Sequence, residues 1–330
     1  MYTMLKDIMC TPSISGRESA VCEKIKSYIA PLTDECYTDA LGNLIAVKKG
    51  KGENRKKIML CAHMDEIGFL VTYIEDSGFV RTAPVGGINY IAASFGEVVS
   101  ENGVRGVLVP ESGTAAADIN GEKVCIDIGA KNRKEAERRV KIGDFFVVAP
   151  YAKRLAGSRV FGRPFDDRIG CAILIELAKK CEVPEHDLYF VFSVQEEVGC
   201  RGSKPSAYAI APDYAIAFDV TATGDSLGAK PMAVKLGDGA AIKIKDASVI
   251  CDAETVNKLT ELAKANKIKH QHEILKFGGT DTSSMQIAGS GCRAVALSVP
   301  SRYIHSGVEV IDLDDAEACV ELARAFVESV

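Results

Sequence analysis

Apolar residues recur in two rhythms along this chain. Near the start they fall at helical spacing. Residues 3–30 predict two helices broken at Pro12-Ser-Ile-Ser-Gly16, the second carrying Val21, Ile25 and Ile29 and followed by Pro31. Strands follow at Glu35–Thr38 and Asn43–Lys48, turned by Ala40-Leu-Gly42, and then at Lys57–Ala62. From residue 69 to 160 the rhythm becomes short and alternating: Phe69–Ile74, Gly78–Thr82, Gly96–Val99, Gly103–Val109, Lys123–Ile128 and Asp144–Ala149. Closely spaced short strands with turn residues between them predict a small β-barrel or sandwich, with one exposed helix at Asn132–Arg139. After Phe161 β/α alternation returns, with helices at Arg168–Lys180, Ala253–Asn266 and from Asp314, and strands at Leu188–Val194, Tyr214–Val220 and Ala294–Val299. The Leu188–Val194 run is apolar throughout, as in a strand covered on both faces. The expected architecture is a discontinuous α/β domain, 1–67 plus 161–330, with a β-rich domain inserted at 68–160.

Polar residues interrupt this pattern where the apolar strands end. His63 and Asp65 follow one strand, Glu196 and Glu197 another, and Asp219 closes a third. Asp166 with Asp167 opens a helix, and His305 follows the last strand. Open α/β sheets bind ligands at the carboxyl ends of their strands, so these exits can converge. Each has an ordinary role as well: Asp166 could simply cap its helix, and a strand-end glutamate is commonly solvated. Charge distinguishes the cases. Asp166, Asp219 and Glu197 carry three negative charges, and two divalent cations with a bridging hydroxide balance them when His63 and His305 are neutral ligands. Two-metal sites of this kind serve aminopeptidases, phosphatases and nucleases, and the donor types suit zinc, cobalt or manganese.

Composition narrows the class. Apolar residues make up 47% and charged residues 26% of the 330, and the formal net charge is −5. An acidic, ordinarily globular chain is not a dedicated nucleic-acid binder, and no run is apolar and long enough for a membrane span. Eleven cysteines without a C-x-x-C pair read as free thiols in the cytoplasm. His270-Gln-His272 has metal-ligand spacing, but it follows a Lys-rich helix end and reads as a solvated strand start.

The ordered motifs Ser15-Gly-Arg-Glu18, Ala62-His-Met-Asp-Glu-Ile-Gly-Phe69, Phe165-Asp-Asp-Arg-Ile-Gly-Cys171, Val194-Gln-Glu-Glu-Val-Gly199, Asp219-Val-Thr221, Gly278-Gly-Thr-Asp281 and Arg302-Tyr-Ile-His-Ser306 span nearly the whole chain. Their combination resembles the tetrahedral (TET-type) dinuclear metallo-aminopeptidases, a family that includes glutamyl and deblocking aminopeptidases, FrvX-like proteins and some members labelled endoglucanases. The resemblance implies a mixed-sheet zinc-peptidase fold, of the phosphorylase/hydrolase-like type, with a small β-barrel inserted. It further implies that His63 and Asp219 hold one divalent ion, Glu197 and His305 a second, and Asp166 both. Asp65 would orient His63, and Glu196 would be the general base acting on a metal-bridging water. A cis bond between Asp166 and Asp167 is also expected. Gly278, Gly279, Thr280 and Asp281 would bind substrate. Short peptides would be the substrates, and the chain would assemble into a homo-oligomer, a dodecamer in the family pattern. Gly307, where relatives commonly have Pro, and Thr282-Ser-Ser284 depart from that pattern in substrate-facing loops. Other readings are a two-metal deacylase or carboxypeptidase, a glycosidase using Glu196 and Glu197, and a non-catalytic peptide-binding assembly protein.

Overall fold

A computed structural model describes residues 1–330. Helices α1 (Tyr2–Met9) and α2 (Ser19–Ile29) lead into strands β1 (Glu35–Thr38), β2 (Leu44–Lys48) and β3 (Lys57–His63). The next strands are β4 (Gly68–Ile74), β5 (Val80–Val85), β6 (Glu97–Ser100), β7 (Arg105–Pro110), β8 (Val124–Asp127) and β9 (Phe145–Val148), with short helices α3 (Tyr90–Ala93) and α4 (Arg133–Ala136) between them. The chain continues through β10 (Tyr151–Arg154), β11 (Arg159–Arg163), α5 (Arg168–Lys180), β12 (Asp187–Ser193), α6 (Ser203–Ile210) and β13 (Tyr214–Thr221). It ends with β14 (Ala240–Lys245), α7 (Ala253–Ala265), β15 (His270–Ile274), α8 (Asp281–Gln286), β16 (Arg293–Arg302), β17 (Glu309–Asp312) and α9 (Leu313–Val327).

Two bodies of sheet result. One is an 11-stranded mixed sheet in the order β1-β2-β12-β3-β13-β16-β17-β11-β10, with β14 and β15 branching from β16. The other is a closed barrel, β4-β5-β8-β7-β6-β9. The mixed α/β fold and the small barrel expected from the sequence are both present. At the centre, β12, β3, β13 and β16 run parallel. Parallel neighbours need long crossovers, and the crossover from β3 to β12 carries the whole barrel. β11 lies antiparallel to β17, which is antiparallel to β16. So β11 runs with the central strands, and all five end at one edge.

Helix α5 explains how that edge is held. Ile169, Cys171, Ala172, Ile173, Leu174, Ile175 and Leu177 are all fully buried, as expected of a helix apolar around most of its circumference. It packs against β3 on one side and α9 on the other, within a core of 52 buried residues that also takes in α1, α2 and α7. Helices α6 and α8 cover the opposite face. The barrel has its own core, with Phe69, Val71, Val98, Leu108, Ile126 and Phe146 pointing inward.

Several sequence expectations need correction. β10 falls within 68–160 but pairs with β11 in the large sheet, so the barrel strands close at Val148 rather than near residue 160. The charged helix expected at Asn132–Arg139 shrinks to α4, capped by the Asn132 side chain on the Glu135 N–H. The insert also contains α3, which was not expected; the Asn89 side chain caps it by accepting the Ala92 N–H. In the segment from Pro84 to Ile91, Ile88 and Tyr90 pack on the barrel core, while Pro84 and Ile91 are exposed.

Candidate metal centre and active site

The carboxyl edge of the sheet gathers the polar strand exits into one place. β3 delivers His63, β13 delivers Asp219, β12 leads to Glu196 and Glu197, β16 leads to His305, and Asp166 sits between β11 and α5. Asp166 is central because its two oxygens serve different partners. Oδ1 lies 3.1 Å from His63 Nε2, and Oδ2 lies 3.2 Å from His305 Nε2. His305 Nε2 is also 3.2 Å from Glu197 Oε2, while His63 Nε2 is 3.9 Å from Asp219 Oδ1. Two groups of donors therefore share one residue: His63, Asp166 and Asp219, and Asp166, Glu197 and His305, each with ligand atoms within 4.8 Å of one another.

Backbone contacts set these positions. Asp167 caps α5 through the Gly170 N–H at 2.9 Å, and its other oxygen accepts the His63 N–H at 3.2 Å. The Asp166–Asp167 peptide bond is cis. Glu309, buried, accepts the N–H groups of Phe165 at 2.6 Å and Asp166 at 3.2 Å. Asp65 approaches His63 through both backbone and side chain. His63 Nδ1 lies closer to the Asp65 backbone oxygen, 3.1 Å, than to the carboxylate, 3.5 Å. The carboxylate chiefly accepts other donors: the N–H groups of Glu196 and Glu197, and the Ser15 hydroxyl.

The barrel supplies no ligand, yet it touches the site. A Cβ added to Gly86 would stand 2.6 Å from Ile67 and 3.1 Å from Glu197 Oε2, and one on Gly87 would meet the His305 ring at 3.3 Å. No pattern along the chain marks this contact.

Electrostatics favours cations here. Burial, reinforced by neighbouring carboxylates, pushes Asp219 and Glu196 well above the usual carboxylate range. Burial alone would lower both histidines, but hydrogen bonds to carboxylates outweigh it. Asp166 and Asp65 raise His63, and Asp166 and Glu197 push His305 up to about 11. The Asp219 carboxylate takes only one hydrogen bond, from the Val220 N–H, although it is 6% exposed. A buried carboxylate so poorly satisfied is costly unless a cation neutralises it. The residues present fit divalent cations in donor type, charge and convergence.

A cavity of about 600 Å³ opens onto Asp166, Glu196, Glu197, Asp219 and His305. Gly278, Gly279 and Thr280 line it, but Asp281 does not. Asp281 turns into the interior, accepting the hydroxyls of Ser193 and Ser203. Of the four residues read as substrate-binding, it alone is placed away from the cavity. Arg302, from the Arg302-Tyr-Ile-His-Ser306 motif, and Lys243, which no motif marked, also line it.

A sequence model of the M42 glutamyl aminopeptidase family matches residues 42–322. The chain belongs to this family. A putative aminopeptidase of Acetivibrio thermocellus is 45% identical over 323 residues, covering 98% of this chain and 97% of the relative. Among solved structures, an aminopeptidase from the archaeon Desulfurococcus kamchatkensis superposes with a TM-score of 0.96 at 34% identity, covering 99% of this chain and 94% of that one. The Pyrococcus horikoshii TET1 peptidase, described as assembling into a tetrahedron or a large octahedral shell, matches at 36% identity and TM-score 0.89, covering 100% and 99%. This M42 member is an enzyme, a peptide-bond hydrolase of the aminopeptidase class, with a group of side chains suited to metal. No helix in it is long and apolar enough to cross a membrane.

Proposed function

We propose that this aminopeptidase removes the N-terminal residue of short peptides with two divalent ions. His63 and Asp219 would hold one, Glu197 and His305 the other, and Asp166 both. The observation that carries this reading is the division of Asp166, one oxygen toward each imidazole. Zinc, cobalt or manganese bound there would supply Lewis-acid polarisation of the scissile carbonyl and a more acidic water. The chain's own part begins with Glu196, which borders the cavity with Oε2 4.0 Å from His63 Nε2. From there it takes a proton from the attacking water and returns it to the leaving amine. Gly278, Gly279 and Thr280 form cavity wall against which the substrate backbone rests.

Two further parts of the reading concern the whole chain. Self-association into a closed shell such as a dodecamer is supported by the tetrahedral or octahedral assembly described for the Pyrococcus horikoshii relative and by the dodecamer described for another solved TET1 structure. Exposed apolar side chains such as Phe95, Tyr208 and Ile287 support it too. All eleven cysteines are free, which accords with a reducing compartment such as the cytoplasm.

The test is Glu196→Gln. Both ions and the fold should be retained while turnover of an aminoacyl-anilide falls at least about 10²-fold, the scale of general acid–base catalysis. Near-normal turnover would move the base elsewhere.

A further inference from the structure

Strand β12 ends in an unusual way. Beyond Ser193 the next backbone N–H groups have no strand partner, and side chains take four of them in succession. Asn43 Oδ1 accepts from Val194 at 3.0 Å, and Glu18 Oε1 accepts from Gln195 at 3.0 Å. Asp65 Oδ1 accepts from Glu196 at 3.0 Å, and Asp65 Oδ2 from Glu197 at 3.2 Å. Gln195 sits at φ 58°, a left-handed conformation that a non-glycine residue adopts only when its surroundings impose it. The acceptors come from three distant parts of the chain, so the turn that presents Glu196 is gripped from outside.

Two of the grips lead to the loop between α1 and α2. Glu18 is 6% exposed, and its Oε1 also takes the Gly16 N–H at 2.7 Å. Ser15 donates to Asp65 Oδ2 at 2.6 Å, on the oxygen that receives the Glu197 N–H. The loop is itself fixed: the Ser13 carbonyl accepts the Glu66 N–H, the Ser13 N–H donates to the Glu66 carboxylate, and Ile14 is buried against Phe145 and Val147 at the root of the barrel. Both Ser15 and Glu18 lie outside residues 42–322 matched by the family model.

From this geometry we infer that Glu18 and Ser15 are positioning residues: they set Glu196 at its working place, Glu18 directly through Gln195 and Ser15 through Asp65. A charged acceptor holds an amide more firmly than a neutral one, and a buried N–H that loses its acceptor must find another by moving. Glu196 is the group most sensitive to such movement, because displacement of about 1 Å in a catalytic group can cost about 10² in rate. The inference rests on Glu196 being the base.

Four variants in the metal-loaded enzyme decide it. Glu18→Ala should lower kcat about ten- to a hundredfold, the range set by that displacement, with KM and the content of both ions unchanged. Hydrogen exchange at residues 194–198, measured without substrate, should quicken. Glu18→Gln keeps an acceptor oxygen and should restore most of both. Ser15→Ala should act in the same direction but less, with Ser15→Thr as its rescue, so a failure of Glu18→Ala to fold leaves the second arm decisive. Unchanged exchange in Glu18→Ala and Ser15→Ala would overturn the clamp, as would a kcat loss that tracks loss of bound ions. Faster exchange combined with near-normal turnover in Glu196→Gln would instead remove Glu196 as base while the grip on the turn stood.

Discussion

The centre of this site is a single carboxylate, and residues around it should fail selectively. His63→Ala should lose mainly the ion shared with Asp219, His305→Ala mainly the one shared with Glu197, and Asp166→Asn should weaken both. Elemental analysis of the purified variants reads the difference, and equal loss in all three would contradict the division. Gly86→Ala belongs with this set. Its φ of +77° and the 3.1 Å approach to Glu197 leave no room for a methyl group, so it should weaken the Glu197–His305 ion and spare the other. The polar strand exits were legible in the sequence because each interrupts an apolar run. The way Glu18, Asp65 and Glu309 are used was not. They bind backbone N–H groups more than a hundred residues away, and a donor that every residue possesses leaves no mark on the pattern.

At the scale of elements, burial of charge decides what could be read. Helix α5 and strands β3, β12 and β13 were plain from their apolar runs, and observed and expected bounds differ by only a residue or so. β14 went unseen, and only the start of β15 at His270-Gln-His272 was read, because charges sit where apolar residues belong. Lys243 on β14 is 1% exposed, 3.2 Å from Asp246 and 2.6 Å from Glu273 on β15, both fully buried. Lys243→Met would leave two carboxylates without their cation and should cost about 3–5 kcal/mol, the usual result of breaking a buried ion pair from one side. Denaturant unfolding measures it, and a loss under about 1 kcal/mol would mean that the group relaxes into solvent. Helix α9 offers a pH test away from the metal site. Asp315 accepts the N–H groups of Gly237 and Gly239, each at 2.7 Å. Burial pushes its carboxyl up to about 7. Between the ordinary carboxylate range and that value the folded chain holds a proton the unfolded chain has released. Stability from this group therefore falls as pH rises through the window. The melting temperature of Asp315→Asn should fall less steeply than that of the wild type over the same window, and parallel curves would show that Asp315 does not titrate there.

For the molecule as a whole, the barrel is the feature that the metal donors do not explain. It bears Phe95 and Ile142 on its outside, 74% and 67% exposed, and closed symmetric assemblies bury such groups in repeated contacts. Light scattering at working concentration should give a mass many times 35.3 kDa, with cleavage of short peptides and none of folded proteins. A monomer that cleaves short peptides at full rate would separate the barrel from assembly.

If these donors hold the ions as proposed, their spacing along the chain also governs when the enzyme can act. His63 and His305 belong to one cluster of strand ends, and Glu309, which steadies Asp166, comes later still. During synthesis the ribosome releases the first of these long before the last, and domains fold as units once their partners have emerged. On the proposed ligand set, a nascent chain stopped before His305 lacks a metal-holding side chain and should have no peptidase activity. On that reading the enzyme should trim no peptides, its own neighbours on the polysome included, until its translation is nearly finished.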